Sequence, residues 1–161
     1  MVIIEIILLF IIIIAVILTI NTLEQDRSIR NFVIPIDNTH TDDFPIVVLE
    51  NNGNKFNFIL DTGANSCLLS SKVLNKIEYK ELGSAGTARG ISGDQVVTNK
   101  VEATFKYENI NITEIFQVFE VASFEVLEAQ YGIEIAGILG YNFLRGHEFV
   151  MDLKELITYT K

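Results

Sequence analysis

Residues 56–64 read FNFILDTGA, an apolar run that ends on a carboxylate and a tight, glycine-containing loop. Aromatic and β-branched side chains dominate residues 56–60, which favours a buried β-strand in so short a run. Asp61 follows this strand directly, and Gly63 allows the chain to turn sharply after it. The stretch therefore predicts a strand that carries one acidic side chain to the end of a sheet.

The flanking residues extend this strand into a small, mostly β domain. Asn52-Gly53 separates the apolar residues 46–49 from the strand, and Asn-Gly is a strong hairpin signal because both residues accept positive φ. The segment 32–36 could pair as an edge strand, and 124–131 is left open between a helix and an irregular excursion. Further strands are predicted at 96–105, 110–122, 133–140, 149–152 and 156–159, and short helical turns at 70–76 and 141–145.

Charge and cysteine content exclude several classes of function. The chain of 161 residues has a formal net charge of −9, which disfavours binding to nucleic acid or to anionic lipid. Cys67 is the only cysteine, so no intrachain disulfide can form, and we expect it to be a buried core residue. His40 and His147 do not have the spacing of a zinc site. We therefore predict no metal and no cofactor.

The N-terminal residues predict a membrane anchor. Residues 2–20 are almost entirely isoleucine, leucine, valine and phenylalanine, and as a helix they would extend roughly 28 Å, close to the thickness of the hydrocarbon layer. We predict a single-pass transmembrane anchor at 1–21 and a tether at 22–43. The alternative, a cleaved signal peptide, lacks a basic leading region and an Ala-x-Ala-like site. Arg27 and Arg30 slightly favour a cytoplasmic domain, and the side of the membrane stays open.

Four glycines between residues 83 and 93 predict a hairpin. The segment lacks the Gly-Lys-Ser/Thr of a phosphate-binding loop, so nucleotide binding is not predicted. Glycines suit positions where the backbone turns tightly, and the residues Gly90-Ile91-Ser92-Gly93 would form the tip.

Three elements, in this order and spacing, resemble the retropepsin family of single-domain aspartic peptidases. They are residues 61–64, the glycine-flanked hairpin about thirty residues later, and Gly137-Ile138-Leu139-Gly140 followed by Asn142-Phe143-Leu144. The resemblance covers residues 44–160, and the bacterial, membrane-anchored members look most similar. It implies an all-β fold, a closed β-barrel with one short helix at 44–161, preceded by the transmembrane helix.

The resemblance also implies an aspartic endopeptidase that works as a homodimer on extended polypeptides. Two carboxyls held close together cannot both ionise at little cost, so they share one proton and offer an acid and a base together. Asp61 is the only aspartate followed by Thr-Gly. A second copy of the chain would therefore supply the second carboxyl, with the two Asp61 side chains meeting on a two-fold axis.

Roles for the other site residues follow from the same resemblance. Asp61 is the catalytic residue, Thr62 would hydrogen-bond across the dimer beneath the carboxylates, and Gly63 would allow close backbone approach. The residues expected to bind substrate are Ala64, Asn65, Gly90, Ile91, Ser92 and Ile138. Asn65 and Tyr141 stand where viral retropepsins commonly carry an acid and an arginine, which puts a dimer of viral-like strength in doubt.

Two other interpretations stay open. Asp61-Thr62-Gly63 could be an ordinary Asx turn in a β-barrel, or the fold could be a catalytically inactive module for peptide binding or dimerisation. An Asp61 side chain that is tied up in an internal turn bond, or that points away from any possible mate, would overturn the peptidase interpretation.

Overall fold

The computed structural model describes residues 11–19, 33–39, 43–89, 95–119 and 122–160. The strands are β1 (Val33–Pro35), β2 (Ile46–Asn51), β3 (Asn54–Asp61), β4 (Cys67–Ser70), β5 (Tyr79–Arg89), β6 (Gln95–Tyr107), β7 (Ile110–Phe119), β8 (Ile135–Gly140), β9 (Phe149–Asp152) and β10 (Ile157–Thr160). The helices are α1 at 11–19, a 3-10 helix (Ser71–Lys76), α2 (Ala122–Tyr131) and α3 (Tyr141–Gly146).

Seven strands form one sheet in the order β2-β3-β8-β4-β7-β6-β5. An additional pairing between β2 and β6, at Glu50 and Lys106, brings the sheet round on itself. The predicted closed β-barrel is therefore confirmed. A second sheet holds three strands in the order β1-β10-β9, so the early segment pairs with the C-terminal hairpin.

Local signals account for several of these elements. The β2–β3 hairpin turns at Asn52 and Gly53, whose φ angles are +48° and +76°, as the Asn-Gly pair predicts. Ser70 caps the 3-10 helix by accepting a hydrogen bond from the backbone N–H of Lys72. The segment left open at 124–131 is helical, so the domain contains α2 in addition to the short helix α3.

Aromatic side chains fill the barrel interior, and one of them, Phe58, belongs to β3. Phe58, Phe105 and Phe116 are at most 1% exposed. The rings of Phe58 and Phe105 meet edge to face with centroids 4.8 Å apart. Burial of such a side chain contributes about 1.5–3 kcal/mol, and a well-oriented aromatic pair adds about 0.5–1.5 kcal/mol. The strand that ends at Asp61 is therefore anchored by the core.

Some of the predicted segments fall partly outside the described residues. Of the predicted anchor at 1–21, the structure describes α1, and no described helix is both long and apolar enough to cross a membrane. Of the tether at 22–43, it describes 33–39 and 43, including β1, which confirms the edge strand. β5 and β6 form the arms of the glycine-rich hairpin, with Arg89 opposite Gln95. The tip, with Gly90, Ile91 and Ser92, lies outside the described residues.

Candidate active site

Asp61 lies at the end of the barrel where β3 and β8 both finish. The two strands are parallel, and Asp61 is the register partner of Gly140. Parallel strands bring their carboxyl ends to the same edge of a sheet, so the loops that follow them meet there. The Asp61 side chain is half-buried, and Thr62 and Gly63 are exposed.

Backbone contacts lock these two loops together. The N–H of Tyr141 donates to the carbonyl oxygen of Ala64 at 2.6 Å, and the N–H of Asn142 donates to that of Asn65 at 3.2 Å. A Cβ atom on Gly140 would lie 2.6 Å from the carbonyl oxygens of both Ala64 and Ser66. Carbon and oxygen atoms cannot approach so closely, so only glycine allows this junction. The closing glycine of the predicted 137–140 motif thus has a steric role.

The carboxyl of Asp61 forms an internal turn bond through one of its oxygens. The N–H of Gly63 donates to Oδ1 at 2.8 Å, which is the Asx turn that the sequence allowed as an alternative. A carboxylate has about four acceptor positions. Oδ2 accepts no hydrogen bond from any described residue, so the turn orients the carboxyl and leaves one oxygen available. The Asx turn and a functional carboxyl are therefore compatible.

An apolar cavity of about 480 Å³ opens beside Asp61. Strand β3 contributes Asp61 and strand β8 contributes Ile138 to its lining, and both were predicted site residues. Thr62 also lines this cavity. The remaining lining residues are Phe44, Pro45, Ile59, Leu60, Phe124, Leu127, Met151 and Leu153. Sequence reasoning assigned none of these to the site. Only the i, i+3 spacing of Phe124 and Leu127, which indicates one face of a helix, could have suggested them.

Polar contacts hold α2 as a fixed wall of this cavity. Glu128 accepts from the backbone N–H of Ile135 in β8 at 3.1 Å and from Nζ of Lys72 at 3.3 Å. Hydrogen bonds to Glu125 and Glu128 raise the pKa of Lys72. At the last residue of α2, the hydroxyl of Tyr131 donates to Asp43. The helix is therefore tied both to the barrel and to the segment that precedes β2.

A second cavity, also of about 480 Å³, is lined in part by Thr62. Its walls come from α3 and β9 and include the charged side chains Arg145 and Glu148. The other lining residues are Tyr141, Leu144, Phe149, Val150 and Met151. Thr62 and Met151 border both cavities. Ala64 and Asn65, which the sequence predicted to bind substrate, line neither cavity.

Cys67 lies directly after the Asp61 loop, at the start of β4. It is 4% exposed, which confirms the predicted buried core residue. Burial raises the pKa of its thiol to about 12, with a smaller increase from Glu114 and an opposing hydrogen bond with the backbone of Gly140. The thiol is therefore neutral and unreactive in the folded protein.

A closed β-barrel with Asp-Thr-Gly at the end of strand β3 defines the retropepsin-like aspartic proteases as the class of this fold. The family model described as aspartyl protease matches residues 46–143, which is more than half of the chain. The chain belongs to this family, and the resemblance drawn from the sequence is confirmed.

One solved structure shows the same fold at low sequence identity, and two more are similar to this chain to a lesser degree. The EIAV protease complexed with the inhibitor HBY-793 has a TM-score of 0.50 and 21% identity, with 68% of this chain and 91% of that chain covered. A retropepsin-like aspartic protease from Rickettsia conorii has a TM-score of 0.49 and 16% identity, covering 80% and 89%. The retroviral protease-like domain of Ddi1 from Leishmania major has a TM-score of 0.43 and 12% identity, covering 73% and 94%. No protein of curated function matches the sequence.

Proposed function

We propose that this chain is an aspartic endopeptidase in which Asp61 and its copy in a second chain activate water against a peptide bond. One observation carries the proposal. The half-buried carboxyl of Asp61 has one oxygen held by Gly63 and the other without a hydrogen bond from the described residues, in the wall of an apolar cavity. Family membership supports the same chemistry.

The two carboxyls would work as a general base and a general acid. The ionised one takes a proton from water as the water oxygen bonds to the peptide carbonyl carbon, and the protonated one gives its proton to the carbonyl oxygen. As the gem-diol collapses, the ionised carboxyl takes a proton from one of its hydroxyls, the C–N bond breaks, and the other carboxyl gives the proton it took from water to the nitrogen, which leaves as an amine. Gly63 holds Oδ1 in position, and Thr62 would hydrogen-bond across the dimer beneath the pair.

The substrate would be a polypeptide in an extended conformation. A cavity of about 480 Å³ with apolar walls suits a large hydrophobic side chain next to the scissile bond. Ile138 lines this cavity, and Ala64 and Asn65 would bind the substrate from the adjoining loop. Gly90, Ile91 and Ser92 at the hairpin tip would close over the peptide.

Digestion of a peptide library by the wild-type chain and by Asp61→Asn tests the proposal. We expect cleavage next to hydrophobic residues, a specific activity that rises with protein concentration, and a loss of about 10²–10⁴-fold in Asp61→Asn. The circular dichroism spectra of both proteins should coincide, since the amide can still accept the Gly63 bond. Equal cleavage by Asp61→Asn would overturn the mechanism, and a specific activity independent of concentration would overturn the homodimer.

A catalytically inactive module that binds peptides or dimerises is the second candidate function. The turn bond from Gly63 to Asp61 favours it, because that bond alone gives the aspartate a structural role. The same digest separates the two functions. A module of this kind would bind apolar peptides and would cleave none of them at any protein concentration.

We also infer attachment to a membrane through residues 1–21. Residues 11–19 are helical, and their large apolar side chains are between 46% and 60% exposed, as in a helix that is apolar on every side. The full chain should sediment with membranes and require detergent for extraction. Release by alkaline carbonate would contradict a spanning anchor.

A further inference from the structure

Glu128 of α2 forms hydrogen bonds with two other elements of the fold. Its Oε1 atom accepts from the backbone N–H of Ile135, the first residue of β8, at 3.1 Å. Its Oε2 atom accepts from Nζ of Lys72, in the 3-10 helix, at 3.3 Å. The Glu128 side chain is 18% exposed, against 62% for Glu125, which contacts the same lysine at 3.2 Å. Glu128 therefore joins α2 to β8, a contact that the structure does not give Glu125.

The regular pairing of β8 is interrupted at the point where Glu128 binds. The register between β3 and β8 shifts after the pair Asn57 and Ile135, where β8 contains one extra residue. A bulge of this kind disrupts the ladder locally and redirects the strand that contains it. Side chains bond to the backbone here, since Nδ2 of Asn57 donates to the carbonyl oxygen of Glu134 at 2.9 Å. Glu128 is therefore bound to the bulge of β8.

The two elements that Glu128 connects are both walls of the apolar cavity proposed to receive substrate. α2 contributes Phe124 and Leu127 to its lining, and β8 contributes Ile138. Phe124 lies one turn before Glu128, so the two side chains project from the same side of the helix. Phe124 and Ile135 also belong to one buried apolar cluster, against which Leu127 and Ile138 pack. Loss of the bond between Glu128 and β8 would therefore change the distance between two walls of the cavity.

We propose that Glu128 is a positioning residue for substrate specificity, which holds α2 against the bulge of β8 and so sets the width of this cavity. The inference rests on the proposed function, which places a large apolar side chain of the substrate there. Glu128 is not one of the described residues that line the cavity, so it would touch neither the substrate nor the reacting atoms. It would act through Phe124 and Leu127, and its loss should reduce the preference for large side chains.

Two substitutions separate the reach of Glu128 from its charge. Glu128→Gln keeps an oxygen at the same place along the side chain, which can still accept from Ile135, and removes the negative charge. Glu128→Asp keeps the charge and is shorter by one methylene group, so its oxygens fall short of that N–H. Glu125→Asp is the matched control, because Glu125 shares Lys72 and has no hydrogen bond with the described residues of β8.

Steady-state cleavage of two peptides, with phenylalanine or alanine at the cut, measures the preference of the full chain. We expect the ratio of their kcat/KM values to fall at least about tenfold in Glu128→Asp, mainly through a higher KM for the phenylalanine peptide. Glu128→Gln and Glu125→Asp should keep the wild-type ratio. An unchanged ratio in Glu128→Asp would overturn the positioning role. An equal decrease for both peptides would also overturn it, because a contribution to stability alone lowers both.

Peptide binding in the Asp61→Asn background separates this inference from the proposed function. Fluorescence anisotropy of the same two peptides, carrying a label, requires no cleavage. If the wild type cleaves neither peptide, the peptidase is overturned, and a selective loss of affinity for the phenylalanine peptide on adding Glu128→Asp still supports the positioning role. If cleavage depends on Asp61 and every Glu128 variant keeps the preference, the positioning role is overturned and the peptidase stands. The absence of both cleavage and binding would overturn both.

Discussion

The two cavities that flank Thr62 have the same volume and different walls. The one beside Asp61 is closed by α2 and strands β3 and β8, and its lining is apolar apart from Asp61 and Thr62. The other is formed by α3 and β9 and carries Arg145 and Glu148. The two cavities therefore differ in the chemistry of their walls and not in their size. Under the proposed function, the apolar walls suit a substrate side chain, and the charged walls would suit a polar contact.

Gly140→Ala should have the largest effect, because it disturbs the junction between the loop that follows Asp61 and the start of α3. The added methyl group would lie 2.6 Å from two backbone carbonyl oxygens, which cannot move aside as a flexible side chain can. We expect a loss of about 1–3 kcal/mol or more in the free energy of unfolding, measured with urea. Gly146→Ala is the matched control, since no atom lies within 4 Å of its added methyl group. Equal stability of the two variants would show that the junction is not tight.

Leu127→Ala should affect only the cavity that contains Asp61. Removing this side chain from α2 enlarges the cavity, so a large apolar substrate side chain makes fewer contacts with its wall. We expect kcat/KM to fall about tenfold for peptides with leucine or phenylalanine at the cut, and less for those with alanine. Val126→Ala is the control, because Val126 is the neighbouring residue and is 66% exposed. An equal decrease for all peptides would assign Leu127 to stability and not to specificity.

Arg145→Glu should affect only the cavity beside β9. It places two acidic groups in a cavity that Thr62 lines, near the second copy of the proposed homodimer, so we expect the dimer to dissociate several-fold more readily at low salt, with a smaller effect at high salt. Adding Glu148→Arg reverses both charges and should restore association. Sedimentation equilibrium measures the dissociation constant, and Leu127→Ala should leave it unchanged. If the double variant stays as weak as Arg145→Glu, the two side chains do not face each other.

The pH dependence of stability tests whether water is excluded from the thiol of Cys67, at the start of β4. The raised pKa of Cys67 means that the folded state keeps its proton between pH 9 and about 12, while the unfolded state loses it. The unfolded state then binds fewer protons, so stability falls as pH rises, by about 1.4 kcal/mol per unit from this group. Urea unfolding at pH 8 and pH 10 should show a smaller decrease in Cys67→Ala. If the free energy of unfolding fell equally in the wild type and in Cys67→Ala, the thiol of Cys67 would not be shielded from water.

Local signals in the sequence predicted much of the fold and little of the cavity walls. Neighbouring residues determine the hairpin at Asn52-Gly53 and the strand that ends at Asp61. Close backbone contact requires the glycines at 137 and 140. The wall residues come from segments that are distant in the chain, so no local pattern identifies them. α2 is an example, because Phe124, Leu127 and Tyr131 pack against residues from distant segments of the chain. The pairing of β1 with β10 likewise depends on the whole fold.

The attachment of β1 to β10 has a mechanical consequence for a tethered protein. A pull along the N-terminal segment would act first on the three-residue ladder from Val33 to Pro35. The backbone bonds from Ile36 to Leu156 and from Asp37 to Ile46 would be strained next. The strand that ends at Asp61 would feel tension only after these bonds had opened. Under the proposed membrane attachment, lateral drag would therefore be absorbed at the rim of the domain, away from Asp61.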